Sequence, residues 1–355
     1  MKTILVKTPS ASYSVYVSSK QKFWGQPLKS LIGKLPVVVI TSPKVAKHTF
    51  NILKMELKRL EIPFQVLLIP DGESSKNIFT AMKAWQGLVK LKSNRSTRIL
   101  LLGGGVIGDM GGFAASTFLR GLSFIQIPTT LVGQVDSSIG GKLGIDLPQG
   151  KNLVGVFKQP QAVLCHIPFL KTLPEREIRG GLGEVIKYGI ICDKALFDRV
   201  MKDKEKILNR DEEILFEIVC RSIAIKAQIV SADEKETSGL RMILNLGHTF
   251  GHAMERLTSY RKYLHGEAVG LGLIMAAGIS HKLGLCSVQT ELQIRQAVKS
   301  VGLPVQIPHF SKTQWIQALE VDKKSRGGMI HFIGVKTIGT VKILPLAPKR
   351  LVEFL

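Results

Sequence analysis

Arg98-Ile99-Leu100-Leu101-Leu102-Gly103-Gly104-Gly105-Val106-Ile107-Gly108-Asp109 decides the fold. An apolar strand runs straight into a GxGxxG pattern, and helical sequence follows it. Strand, glycine turn and helix in that order open a parallel α/β unit. The first glycines let backbone approach phosphate oxygens, and the helix N-terminus favours negative charge. Gly103, Gly104, Gly105, Val106, Gly108 and Asp109 are therefore candidate nucleotide-binding residues. Taken alone the motif is weak, and a glycine loop serving only tight packing is its competitor. It also departs from the ordinary dinucleotide fingerprint. Two strands precede it, and the next strand, Ser123 to Ile127, ends at Pro128-Thr129-Thr130 without an acidic ribose clamp.

Outward from that stretch the α/β pattern continues. Residues 1–20 alternate as short strands, read as a hairpin at the sheet edge. Pro36 to Thr41 is a buried strand, with a helix from about Pro43 to Leu60. Phe64 to Ile69 is the next strand, and a helix spans about Lys76 to Lys90. Such alternation means a parallel sheet with helices on both faces. Gln159-Pro160 and Leu173-Pro174 break the pattern, and the chain turns mainly helical from Glu175 to about Gly302. The fold class is thus α/β: a Rossmann-like parallel-sheet domain over residues 1–174, then a mainly helical domain over residues 175–355. Gly327-Gly328 and the alternation from Met329 to Ile333 read as a turn and edge hairpin.

A chain of 355 residues with 45% apolar content can build cores of this size. Its four cysteines show no CxxC spacing, which argues against a thiolate zinc site or a disulfide framework. They read as reduced thiols of a cytoplasmic protein. Apolar runs are too short for a signal peptide at the N-terminus or for a membrane span. The formal charge of +22 raises nucleic-acid binding. However, the lysines are scattered, and 6% aromatic content does not supply a base-stacking surface. The excess charge suits attraction of an anionic substrate.

The second organising stretch is Arg241-Met242-Ile243-Leu244-Asn245-Leu246-Gly247-His248-Thr249-Phe250-Gly251-His252-Ala253, with His265-Gly266-Glu267 beyond it. A helix here puts His248 and His252 on one face. Arg241 and Asn245 are read as one helical turn apart, facing the same way as His248. Neutral imidazole is a good zinc ligand, and the best-placed carboxylate is Glu184, with Lys187 one turn beyond. Spacing leaves open whether His252 also ligates, because an i, i+4 histidine pair can chelate zinc. Between the two stretches, Asp136, Lys142, Lys151 and Asn152 lie among glycines, a poor core and a plausible anion-binding loop.

Asn245-Leu-Gly-His-Thr-Phe-Gly-His-Ala and Gly183-Glu-Val-Ile-Lys-Tyr-Gly189 closely resemble the 3-dehydroquinate synthase family of sugar-phosphate cyclases, with matches from about residue 70 to 340. The glycine stretch resembles that family's GGGVIGD, which also occurs in metal-dependent alcohol and glycerol dehydrogenases. The resemblance implies NAD across the carboxyl ends of the sheet. It implies nucleotide contacts from Glu73, Lys76, Thr129, Thr130, Lys142 and Lys151. It makes Glu184, His248 and His265 the ligands of Zn2+ or Co2+. Lys142, Lys187, His252, Asp136 and Asn245 become catalytic. Arg120, Lys142, Asn152, Lys226, Arg241, Asn245 and Lys324 become substrate-binding. Arg120 reaches the partner's site in that family, which implies a homodimer. The chain departs from the family where an aspartate is expected near Ile40-Thr41-Ser42, where His166 replaces an aspartate, and where Gly111, Gly133 and Gly183 replace alanines.

The implied reaction converts 3-deoxy-D-arabino-heptulosonate 7-phosphate into 3-dehydroquinate and phosphate by transient oxidation, phosphate elimination, re-reduction, ring opening and aldol closure. The cluster of lysines and arginine suits a substrate bearing both phosphate and carboxylate. Three rivals remain at this level: another sugar-phosphate cyclase, an NAD- and metal-dependent polyol dehydrogenase, and a basic nucleic-acid-binding relative.

Overall fold

The computed structural model describes residues 1–19, 24–323 and 328–355. They form two compact units: Met1–Leu173 with Leu215–Ser231, and Pro174–Ile214 with Ala232–Leu355.

The strands of the first unit are β1 (Lys2–Lys7), β2 (Ser12–Ser18), β3 (Val37–Thr41), β4 (Phe64–Leu68), β5 (Arg98–Gly103), β6 (Ser123–Pro128), β7 (Lys142–Leu147), β8 (Gly150–Phe157) and β9 (Ala162–His166). Its helices are α1 (Gly25–Ile32), α2 (Pro43–Val45), α3 (Asn51–Arg59), α4 (Ile78–Lys90) and α5 (Gly112–Thr117). Seven strands make one sheet in the order β1-β2-β9-β6-β5-β3-β4. Only the β1–β2 hairpin in it is antiparallel; the other pairings are parallel.

Side chains alternate across each strand, so a sheet covered on both faces needs apolar residues at every position. The central strands supply them. Val38, Ile40, Ile99 and Leu101 face one core with Ala81, Ala84 and Leu88 of α4 and Phe113 of α5. Val37, Val39, Leu100 and Leu102 face the other, with Leu28 and Ile32 of α1 and Leu53 and Leu57 of α3. Local signals set the helix starts. The Ser42 side chain accepts from Val45 N–H ahead of Pro43 at α2. Asn77 accepts from Thr80 N–H, so α4 begins at Ile78 and not at Lys76.

Two sequence readings are corrected here. Lys142, Lys151 and Asn152, read as loop residues, lie on the antiparallel β7–β8 hairpin, with Lys142 opposite Phe157, and Asp136 lies in the π-helical segment Gly133–Ser137. Leu143 and Ile145 bury into the first core on alternate positions. A Cβ on Gly144 or Gly155 would come within 2.7 and 2.3 Å of opposing backbone, so the glycines serve strand approach. The other correction concerns the second domain, which is not one contiguous stretch. Helices α6 (Glu175–Cys192) and α7 (Lys194–Leu208) belong to it, but α8 (Glu212–Ala232) passes into the first unit from Leu215 to Ser231. There Lys226 reaches Asp136, and the Lys7 N–H donates to Ser231 Oγ.

The second unit continues with α9 (His248–Leu257), α10 (His265–Lys282), α11 (Val288–Ser300), α12 (Lys312–Lys323), β10 (Ile330–Thr337), β11 (Thr340–Leu346) and α13 (Pro348–Glu353). β10 and β11 pair as an antiparallel hairpin of their own. α10 is the central helix: nearly every residue from Gly266 to Ser280 is buried. It meets α6 and α9 through glycines. A Cβ on Gly266 would sit 1.9 Å from the Gly180 carbonyl oxygen, and one on Gly183 would sit 2.6 Å from the Gly266 carbonyl oxygen. On the other side, a Cβ on Gly272 would sit 1.8 Å from the Gly247 carbonyl oxygen. Gly247 also has φ +80, which glycine adopts without penalty. The α10 N-terminus is fixed as well. The Glu267 carboxylate accepts from Leu264 N–H at 2.8 Å, and Arg176 of α6 grips it at 2.6 and 2.7 Å.

These contacts predict opposite effects from one substitution type on one helix. Gly266→Ala and Gly272→Ala force backbone apart and are expected to cost about 3 kcal/mol each. At Gly278 the nearest atom to an added Cβ is a Glu291 carboxylate oxygen at 3.4 Å. Gly278→Ala is expected to gain about 0.5–1 kcal/mol from helix propensity. Urea unfolding of the three variants against the parent measures both.

Candidate functional site

In the second unit, the donor atoms of Glu184, His248 and His265 lie within 4.8 Å of one another. Each candidate ligand sits beside a helix contact: Glu184 follows Gly183, His248 follows Gly247, and His265 precedes Gly266. Glu184 Oε1 is 3.6 Å from His248 Nε2 and 3.3 Å from His265 Nε2. Its Oε2 pairs with the Lys187 ammonium at 2.6 Å, and both side chains are buried. His248 Nδ1 lies 3.2 Å from the Leu246 carbonyl oxygen, which leaves its Nε2 toward Glu184. Two imidazole nitrogens and one carboxylate are the donor set of a catalytic zinc site that keeps a position open. The residues therefore fit a divalent metal.

The electrostatics agree. Burial pushes the His248 imidazole down to about 3, against the pull of Glu184, so it stands neutral and able to ligate. Burial also opposes charge on His265, but hydrogen bonds to Glu184 and Glu255 outweigh it and lift that imidazole to about 10. In the metal-free chain a proton thus holds positive charge between two carboxylates. His252 belongs to the same group, its ring 5.3 Å from His248 and 5.9 Å from His265. It is exposed, whereas Glu184 is fully buried.

Arg241 and Asn245 depart from the sequence reading. They lie in a 3₁₀ segment, Leu240–Asn245, where four residues turn well past one full circle. They do not share a face as they would on an α-helix. Arg241 is buried, with its backbone N–H on Asp233 and its guanidinium on the Glu234 carbonyl oxygen, while Asn245 is exposed. Lys324 lies outside the described residues.

In the first unit, the strand order reverses between β3 and β5: the chain passes from β3 to β4 on one side and from β5 to β6 on the other. Ligands of open parallel sheets bind at such a point, beyond the carboxyl ends of the strands. Thr41 Oγ1 closes the gap by donating to the Leu102 carbonyl oxygen at 2.8 Å. The glycine loop leaves β5 at this edge. Gly103, Gly104, Gly105 and Gly108 have no positive φ, so handedness does not require them. Closeness does: a Cβ would stand 2.5 Å from Ile107 at Gly103, 2.9 Å from Thr130 at Gly104 and 2.9 Å from Gln126 at Gly108. Thr129 N–H donates to the Gly103 carbonyl oxygen, and Thr130 Oγ1 accepts from Gly133 N–H. Val106 precedes the π-turned segment Ile107–Gly111 that carries Asp109. These glycines pack against the protein's own side chains, and it is the loop's position at a strand-order reversal that suits a nucleotide.

The charged candidates of this unit are gathered in pairs. Lys76 reaches Asp109 at 2.6 Å and Asn152 at 2.5 Å. Burial works against the Lys76 ammonium, but Asp109 and Glu73 outweigh it and hold it charged. Lys151 meets Glu73 at 2.9 Å, and Lys226 meets Asp136 at 2.9 Å. Asn152 has φ +55, and its N–H donates to Asp146 at 2.7 Å. Lys142 opens β7 and is exposed. Arg120 is also exposed, at φ +66, directly after Leu119 at φ +50.

Sequence reasoning missed Asp146, whose strand alternation carries no special signal, and Glu255, whose signal was available. Glu255 lies three residues past His252, on the face of α9 that carries both histidines.

Family models described as 3-dehydroquinate synthase N-terminal and C-terminal match residues 66–180 and 181–325. The 3-dehydroquinate synthase of Geotalea uraniireducens (strain Rf4) is 41% identical over 355 residues, covering 98% of this chain and 96% of that protein. That of Geobacter sp. (strain M21) is 46% identical over 305 residues, covering 86% and 84%. Among solved structures, 2-epi-5-epi-valiolone synthase from Streptomyces hygroscopicus subsp. jinggangensis 5008, with NAD+ and Zn2+ bound, superimposes with a TM-score of 0.88 at 26% identity, over 97% of this chain and 95% of that one.

The buried Glu184–Lys187 pair sets a stability prediction. Glu184→Gln takes the carboxylate from a buried ammonium and is expected to destabilise the metal-free protein by about 3 kcal/mol. Urea unfolding in the presence of chelator checks it.

Proposed function

The chain belongs to the 3-dehydroquinate synthase family, and from that membership we infer which of its residues perform the family reaction. The protein is an NAD- and metal-dependent lyase that converts 3-deoxy-D-arabino-heptulosonate 7-phosphate into 3-dehydroquinate and phosphate. The observation that carries this is the intact Glu184–His248–His265 cluster in a chain 41% identical to a named synthase over 355 residues. Relatives at 41–46% identity bear that name, against 26% for the valiolone synthase, which favours the heptulosonate over other sugar phosphates.

Glu184, His248 and His265 would hold Zn2+ or Co2+, and the loop Gly103–Gly108, with Glu73, Lys76, Asp109, Thr129, Thr130 and Lys151, would hold NAD. When bound, the metal polarises an alcohol oxygen, and the nicotinamide accepts a hydride that it later returns. The chain's own residues orient the substrate and balance its charge. Lys142, Asn152, Lys226, Arg241, Asn245 and Lys324 are assigned to its phosphate and carboxylate. Lys226 and Lys151 already pair with Asp136 and Glu73, so an anionic substrate or cofactor exchanges one acceptor for another and does not meet a bare cation. Lys187 and His252 border the candidate ligand cluster, which supports assigning them proton movement and substrate positioning. We place this chemistry in the cytoplasm, in keeping with four free cysteines and with no described helix long and apolar enough to cross a membrane.

We also propose a homodimer in which Arg120 serves the neighbouring site. Consecutive positive φ values at Leu119 and Arg120 are backbone strain of the kind found where a side chain must be presented. The exposed position of Arg120 is compatible with contact to a second copy.

Phosphate release from the heptulosonate phosphate, with zinc and substoichiometric NAD, should proceed without net NADH. Stoichiometric NADH without phosphate would instead identify a dehydrogenase. Metal analysis should find His248→Ala and His265→Ala depleted and His252→Ala loaded; equal loss in all three would refute the ligand assignment. Arg120→Ala and Lys142→Ala should each be poor enzymes, whereas a randomly paired mixture formed by co-expression should regain about a quarter of wild-type sites, one in each heterodimer. Proven heterodimers with only the parents' average activity would place Arg120 in its own subunit.

A further inference from the structure

A metal-binding imidazole keeps its lone pair on the ligating nitrogen, so the other nitrogen carries the proton and needs an acceptor. The two candidate histidines both turn Nε2 toward Glu184. For His248 the acceptor at Nδ1 is the Leu246 carbonyl oxygen at 3.2 Å. For His265, Nδ1 lies 3.5 Å from Glu255 Oε1. Glu255 is 2% exposed. A carboxylate is rarely so deeply buried without a specific partner. α9 presents it on the same face as His248 and His252, at i, i+4 and i+7. One helix face thus delivers a ligand, a neighbouring histidine and an acceptor for the ligand on α10.

We propose that Glu255 is a positioning residue that accepts the Nδ1 proton of His265 and so holds its Nε2 for the metal; the proposal rests on Glu184, His248 and His265 being the ligands. The competing role is direct ligation, because donor atoms of His252, Glu255 and His265 also lie within 4.8 Å of one another. That grouping would need an ion on the Nδ1 side of His265 while Nε2 faces Glu184 and His248. A single ion coordinated by Nε2 leaves Nδ1 protonated and Glu255 as its acceptor.

The test uses the full chain as wild type, Glu255→Gln and Glu255→Ala. Zinc affinity is measured by chelator competition, and cobalt-loaded samples are followed by visible absorption and by the shifted, exchangeable imidazole N–H proton signals. The expected result is one ion per chain throughout. Affinity should fall about 10-fold in the glutamine variant and about 100-fold in the alanine variant, the range that loss of such an acceptor produces. One of the two imidazole N–H signals should move in Glu255→Gln while the other stays. Glutamine is isosteric, so that variant decides the matter if alanine does not fold. Unchanged affinity and an unmoved N–H signal in Glu255→Gln would overturn the proposal. Two ions in wild type falling to one in Glu255→Gln would overturn it in favour of direct ligation. A wild-type chain that takes up no zinc or cobalt would instead refute the ligand assignment beneath it.

Discussion

Backbone meets backbone where α10 passes α6 and α9, and the convergence of Glu184, His248 and His265 depends on that closeness. Helices in ordinary contact stand 8–10 Å apart because side chains fill the space between them. Gly180, Gly183 and Gly266 remove the side chains on one flank of α10, and Gly247, Gly251 and Gly272 remove them on the other. Short side chains such as glutamate and histidine, attached next to those contacts, can then converge on one point from three helices. Gly183 shows how firm the constraint is. It replaces an alanine expected from the family resemblance, and here an added Cβ would stand 2.6 Å from the Gly266 carbonyl oxygen.

A second theme is that positive charge is held in reserve. Lys76, Lys151, Lys187 and Lys226 each contact a carboxylate, Asp109, Glu73, Glu184 and Asp136 respectively. Buried or half-buried ammonium groups demand such partners. Within each unit these ammonium groups are therefore balanced by the chain's own acids.

Much of this was legible in the sequence. Apolar runs such as Val37–Ile40 and Ile99–Leu102 read as buried strands, because a sheet covered on both faces needs apolar residues at every position. His248 and His252 announce a helix face by their spacing alone. The failures have physical causes. Glycines at 144 and 155 resemble a loop when the requirement is close strand pairing, and only the partner strand reveals it. The Arg241–Asn245 spacing assumed 3.6 residues per turn, but the segment winds more tightly. Glu255 shares the i, i+4, i+7 face of His248 and His252, but its neighbour His265 lies on the next helix, which the spacing does not show. Most of α8 packs away from its sequence neighbours, and no local pattern distinguishes a helix that serves one core from a helix that serves another.

That excursion of α8 bears on how the protein is made. Ribosomes deliver the chain from its N-terminus, and domains generally fold as they emerge. Here the seven-stranded sheet is fully synthesised by His166, yet its unit stays unfinished until Ser231 has followed. Meanwhile α6 and α7, which belong elsewhere, have already left the tunnel. The first unit is thus completed only after part of the second has been synthesised. The same threading, with the chain passing between units at three places, means that no single proteolytic cut can release either unit whole.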